Sequence, residues 1–123
     1  MYQPAAKLKW FFSQFGMKAY AENNVPKNEP LPYITYPLKE PAWNIQTNTY
    51  CQIWYPKNDL EDLLHKADEV VAAIGAAGVK IQMDGGYILL YLPDGDQIQT
   101  IQDDFTERAY ISLVMNVYHM PGA

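Results

Sequence analysis

The run IQTNTYCQIWY, residues 45–55, alternates strictly between two kinds of side chain. Ile45, Thr47, Thr49, Cys51, Ile53 and Tyr55 fall on one side, and Gln46, Asn48, Tyr50, Gln52 and Trp54 on the other. A period of two sustained over this length predicts a strand with one buried and one half-exposed face. A chain built around such a strand must cover the first face with its own apolar surface. The second is left to solvent or to a partner.

Two amphipathic segments can supply that cover. Pro4 suits the first turn of a helix. Leu8, Phe11, Phe12 and Phe15 then recur at helical spacing and Gly16 offers a stop, which predicts a helix over about 4–15. Trp10 and Lys7 fall off its apolar stripe. A second helix is predicted over about 59–76. There Leu60, Leu63, Leu64, Ala67, Val70, Val71 and Ile74 form the stripe, with Asn58 as N-cap, Glu61 as its capping-box partner and Gly75 and Gly78 as stops.

The remaining elements are strands. Tyr33–Leu38 is a short one. Residues 79–83 and 87–92 read as a hairpin about Asp84-Gly85-Gly86, and Arg108–His119 as a last strand. Residues 17–31 and 97–107 read as polar loops. The fold class expected is α+β: two helices packed on one face of a mainly antiparallel sheet of about four to five strands. A chain of 123 residues with 49% hydrophobic content makes one domain, residues 1–123.

Proline fences the 33–38 strand, with Pro26, Pro30 and Pro32 before it and Pro37 and Pro41 at or beyond its end. Proline lacks the backbone N–H that a central strand needs. Two readings follow. Either the prolines blunt an edge strand, or they free residues 17–31 as an arm toward a partner, with Tyr20, Val25 and Pro26 as its adhesive points.

The formal net charge of −5 argues against nonspecific binding to nucleic acid. It is unevenly spread. Residues 1–58 hold six Lys against three Glu, a net of +3, and residues 59–123 hold eleven acids against three bases, a net of −8. Such asymmetry fits two electrostatically different surfaces, or simply two solvated faces. Cys51 stands alone, which excludes an internal disulfide and a cysteine metal site and predicts a small buried hydrophobe. No apolar run reaches the length of a signal peptide or a membrane span, so a soluble protein made in a reducing cytoplasm is expected.

Motifs for catalysis are weak. His65 has Asp62 at i−3 and Glu69 at i+4, a spacing open to a metal, but a solvated helix face with local ion pairs is the better reading. Ser13 and Ser112 lack a nucleophile context. Gly75-Ala-Ala-Gly78 closes a helix, whereas phosphate loops open one. Asp103-Asp104 has no His, Cys or Gly at ligand spacing and reads as an exposed acidic loop. No catalytic residue, cofactor or metal is assigned, and an enzyme is not expected.

Interface features are stronger. Tyr50 and Trp54 stand as aromatic anchors on the polar strand face, and such residues concentrate at the centres of protein interfaces. Asp94, Asp96, Asp103, Asp104 and Glu107 crowd one short stretch ahead of Arg108.

An ordered series of motifs also resembles the tail-terminator proteins of siphophages and prophages, a family of minor capsid or tail-completion proteins. Phe15-Gly16, Ala19-Tyr20, Val25-Pro26 and Pro32-Tyr33-Ile34-Thr35-Tyr36 carry the N-terminal part. Ile53-Trp54-Tyr55, Lys66-Ala67-Asp68-Glu69-Val70 through Ile74-Gly75, Asp84-Gly85-Gly86, Asp103-Asp104 and Arg108-Ala109-Tyr110-Ile111 carry the rest. The segment Asp96–Gln102 departs from the hydrophobic, Phe-containing loop of that pattern. The resemblance implies an α+β subunit of a hexameric ring in the virion, at the head-proximal end of the tail. Such a ring caps the tail tube, ends its polymerisation and offers the head-joining surface, without catalysis. Its implied partners are copies of itself, the tail-tube protein and a head-completion protein, with no membrane and no specific nucleic acid, although DNA passes through the lumen. The acidic loop would face either lumen or tube. The competing expectations are another head–tail joining or neck component, and a small non-catalytic ligand-binding domain. The candidate interface residues are Tyr20, Val25, Pro26, Tyr50, Trp54, Asp94, Asp96, Asp103, Asp104 and Arg108.

Overall fold

The computed structural model describes residues 3–38, 46–94 and 98–119. The elements run α1 (Gln3–Phe12), β1 (Lys18–Ala21), a 3-10 turn (Glu22–Asn24), β2 (Tyr33–Tyr36), β3 (Gln46–Pro56), α2 (Leu60–Ile74), β4 (Val79–Met83), β5 (Gly86–Tyr91), β6 (Ile98–Gln102) and β7 (Thr106–His119).

The layout corrects the expected fold. Among the described residues, seven strands form one curled half-barrel sheet and strand residues outnumber helical ones by 46% to 26%, in place of two helices packed on one face of a mainly antiparallel sheet of about four to five strands. The two strands the sequence reading missed explain the difference. β1 lies in the segment read as a loop or arm. Its four residues, KAYA, are too few and too small to show a period, and it forms by parallel pairing with β2, Lys18 opposite Tyr33 and Ala21 opposite Tyr36. β6 lies in the polar stretch before the acidic pair. It forms because β7 offers it an open edge, Ile98 opposite Ile111 and Gln102 opposite Glu107.

β7 is the spine. One edge pairs with β3 from Asn116–Gln46 to Thr106–Pro56. The other edge is shared, with β6 along its first half and β5 along its second. The sheet order is β1-β2-β3-β7-β5-β4. All pairings except β1–β2 are antiparallel.

α1 packs against both β1 and β4, although these lie at opposite ends of that order. One helix can touch both only if the sheet curls toward it. α2 lies inside the same curl against β3 and β7. The core therefore joins Phe11, Phe12 and Phe15 to the inward residues of the strands, with Leu63, Ala67, Val70 and Ile74 of α2 among them. Phe12 stacks on Tyr36 at 5.1 Å, tying α1 to β2. The face of β3 expected to be buried is so at Cys51, Ile53 and Tyr55, and burial pushes the Cys51 thiol up to about 12.

Boundaries shift for local reasons. α1 ends at Phe12, and the chain turns before Gly16, which takes a positive φ of 78°. Asn58 is not the N-cap. It sits at φ 76°, and Asp59 takes the cap position without a side-chain bond. Gly78 allows β4 to start tight against β5, since a Cβ there would lie 2.8 Å from that of Tyr91.

Candidate interaction surface

Because both helices sit inside the curl, the outward side chains of the sheet are left without a helical layer among the described residues, except at the β1 edge, where Lys9 of α1 reaches Tyr20. Period two places one outward residue of each strand in line across the sheet. Tyr33 lies opposite Trp54, and Trp54 opposite Arg108. Tyr20 joins at the β1 edge, its ring 6.2 Å from Tyr33 in an edge-on arrangement. Tyr33 and Trp54 stack at 6.2 Å, and the Arg108 guanidinium lies 4.6 Å over the Trp54 ring. A row of Tyr20, Tyr33, Trp54 and Arg108 thus crosses four strands. Two further pairs extend the aromatic surface: Tyr50 on Tyr110 at 4.7 Å and Tyr87 beside Tyr118 at 4.8 Å.

This surface is held rigid from within. Trp54 Nε1 donates to Thr35 Oγ1 at 2.9 Å, covering a threonine that is almost fully buried. Tyr50 donates to the Glu22 carboxylate at 2.8 Å. That bond, then burial and the Glu22 charge, push the Tyr50 phenol up to about 12. Tyr20 donates to Glu29 Oε1 at 2.8 Å, and Lys18 Nζ lies 3.8 Å from the same oxygen. The segment from Met17 to Leu31 is therefore pinned to its own sheet by the β1–β2 ladder and by Tyr50 on Glu22. Its arm reading gives way to a docked edge.

The β6–β7 hairpin makes a second surface. Asp103 Oδ1 accepts from the backbone N–H of Phe105 and Thr106 at 2.9 and 2.7 Å, and Oδ2 accepts from Thr106 Oγ1 at 2.7 Å. Asp103 N–H in turn donates to Thr106 O, and Lys57 N–H to Phe105 O. These bonds hold the Asp103 carboxyl below the usual carboxylate range, chiefly through Thr106. The turn they build presents Phe105 at 83% exposure, the most exposed large hydrophobic among the described residues.

The third surface is a groove between α1 and β1. Ala5, Ala6, Lys9, Tyr20, Ala21, Asn24, Tyr36 and Leu38 line an open cavity of about 480 Å³. A second hollow continues it past Lys9 and Tyr20 to Met17 and Lys18. Lys9 Nζ stands 5.4 Å over the Tyr20 ring.

Of the residues singled out from sequence, Tyr20, Tyr50, Trp54 and Arg108 come together on the outward face. Val25 is half-buried and Pro26 exposed in the turn after β1, where Pro26 O accepts from Glu29 N–H. Asp103 and Asp104 lie at the hairpin tip, apart from the aromatic row, and Asp94 is exposed after β5. Asp96 lies outside the described residues. Sequence reasoning missed Tyr33, Tyr110, the groove and Phe105. The signal for Phe105 was available as a lone large apolar residue directly after two aspartates in a polar stretch.

No group of three or more His, Cys, Asp or Glu side chains is placed to hold a metal among the described residues. His65 Nε2 lies 3.9 Å from Glu61 on an exposed face of α2. No helix among the described residues is long and apolar enough to cross a membrane. Taken together, the site is a set of rigid, aromatic and oppositely charged outer surfaces on a curled sheet. Comparison of the chain with protein-family models, curated proteins and solved structures yields no match.

Proposed function

We propose that the chain is a structural subunit of a phage or prophage tail, a terminator that joins copies of itself into a ring on the head-proximal end of the tail tube. The ring ends tube polymerisation and leaves a surface for the head-completion protein. The chain works by contact alone, with no cofactor and no chemical step.

The observation that carries this reading is the outward row Tyr20, Tyr33, Trp54 and Arg108, flanked by Tyr50 and Tyr110. Aromatic and arginine side chains are the residues that dominate the centres of protein interfaces. Here they are fixed in place before any partner arrives, which lowers the ordering cost of association. The partners proposed are those implied by the resemblance of its ordered motifs to tail terminators.

Electron microscopy of tails assembled with and without this gene tests the proposal. Overlong tails are expected without it, and their return to uniform length when the intact chain is supplied. Tails of unchanged length in its absence overturn the reading.

A further inference from the structure

We infer that the Phe105 tip is the knob of a self-interface, and that its socket is the α1–β1 groove of a neighbouring copy. The inference rests on the ring reading and specifies which surfaces of the subunit meet.

Three observations converge on it. The tip is built rather than loose. Asp103 spends both carboxylate oxygens on the turn, so the backbone around Phe105 is fixed while its ring stands 83% exposed. Exposing a large apolar side chain on a pre-formed turn suits a residue that fills a pocket elsewhere. The groove has matching chemistry: Ala5, Ala6, Ala21, Tyr20 and Tyr36 are among the residues lining a cavity of about 480 Å³. The charges also match. Asp104 flanks the knob, while Lys9 lines the groove; Lys18 in its extension is already paired with Glu29.

Knob and socket are separate surfaces of one chain, and Phe105 is not among the residues that line the groove. Phe105 O accepts from Lys57 N–H at the β3–β7 end of the sheet, whereas the groove lies at the β1 edge beyond β2. Because the two surfaces differ, the contact is heterologous. Such contacts run head to tail and close into rings when the rotation permits. The knob alone covers about 150–250 Å² of the roughly 800 Å² that each partner gives to a stable interface. It therefore sets register within a larger contact.

The test uses the full chain with Phe105→p-benzoyl-phenylalanine, irradiated at high protein concentration, with circular dichroism confirming the fold. The expected product is a covalent dimer whose cross-linked peptides join position 105 to the groove, at Ala5–Lys9 or Tyr20–Ala21. No dimer, or cross-links that map elsewhere, overturns the inference. A second set of variants reads the charges. Lys9→Glu and Asp104→Lys are each expected to weaken self-association about two- to fivefold by sedimentation, and the double variant to recover most of it. Single variants that associate like the parent overturn the pairing. The two readings fail separately. Cross-links outside the groove with tails still overlong in the gene's absence sink the knob alone. Tails of normal length in its absence sink the ring reading while a groove cross-link still stands as self-association.

Discussion

Trp54 shows how one residue serves both fold and surface. Its indole N–H satisfies the buried Thr35 hydroxyl, and its ring carries Tyr33 on one side and Arg108 on the other. Trp54→Phe keeps an aromatic plate but removes that donor, and is expected to cost about 1 kcal/mol of stability, read as a lower denaturant midpoint with unchanged m. Tyr50 offers a test by pH. Its phenol is raised to about 12, first by the Glu22 hydrogen bond, so the folded state holds a proton that the unfolded chain releases near pH 10. The bond's contribution is therefore full below about pH 10 and is lost as pH rises toward about 12. In Glu22→Gln the anion is gone, and one tyrosine is expected to ionise earlier in a spectroscopic titration. A titration curve identical to the parent would mean that Glu22 does not hold Tyr50.

At the scale of elements, the hairpin turn is the most dependent on a single side chain. Asp103→Ala removes three hydrogen bonds from the tip and is expected to raise amide exchange at Phe105 and Thr106 while leaving the protected core of β7 unchanged. The carboxyl is held below its usual range in the folded chain, so its contribution is present above about pH 4 and is lost as pH falls further. Exchange that rises across the whole of β7 instead would mean that the turn is coupled to the entire sheet. The elements that could be read from sequence were those with internal periodicity. β3 and α2 carry their own pattern of burial, and the Asp84-Gly85-Gly86 turn is local chemistry, with Gly85 at φ 75°. β1 and β6 have no such pattern. Lys18–Ala21 and Ile98–Gln102 are strands only because β2 and β7 offer them open edges, and a segment without its own alternation carries no sign of that pairing, even for β6, whose partner is the next strand in the chain. The same holds for the site. Tyr50 and Trp54 announce themselves by alternation, whereas the groove is made by α1 wrapping the β1 edge and is invisible along the chain.

At the scale of the whole molecule, the uneven charge of the sequence becomes a matter of geometry. Lys9 and Lys18 lie at the α1–β1 end, while Asp103 and Asp104 lie at the hairpin tip. Glu61, Asp62, Asp68 and Glu69 make the exposed face of α2 acidic as well. In the proposed ring, unlike ends favour head-to-tail over head-to-head contact, so charge would select orientation more than add affinity. Each exposed pair is worth little alone, and the field of the whole surface reaches only about 10 Å at 0.1 M salt and about 3 Å at 1 M. Self-association is therefore expected to slow markedly as salt rises over that range, with the dissociation rate changing far less, since the aromatic contacts that resist separation are not screened. Stopped-flow or surface-based association kinetics separate the two rates. If the association rate is unchanged in molar salt, orientation is set by shape alone, and the division of charge between the two halves of the chain serves solvation. If the dissociation rate rises as steeply as association falls, the bound state is itself held by charge, and the aromatic row is not the centre of the interface.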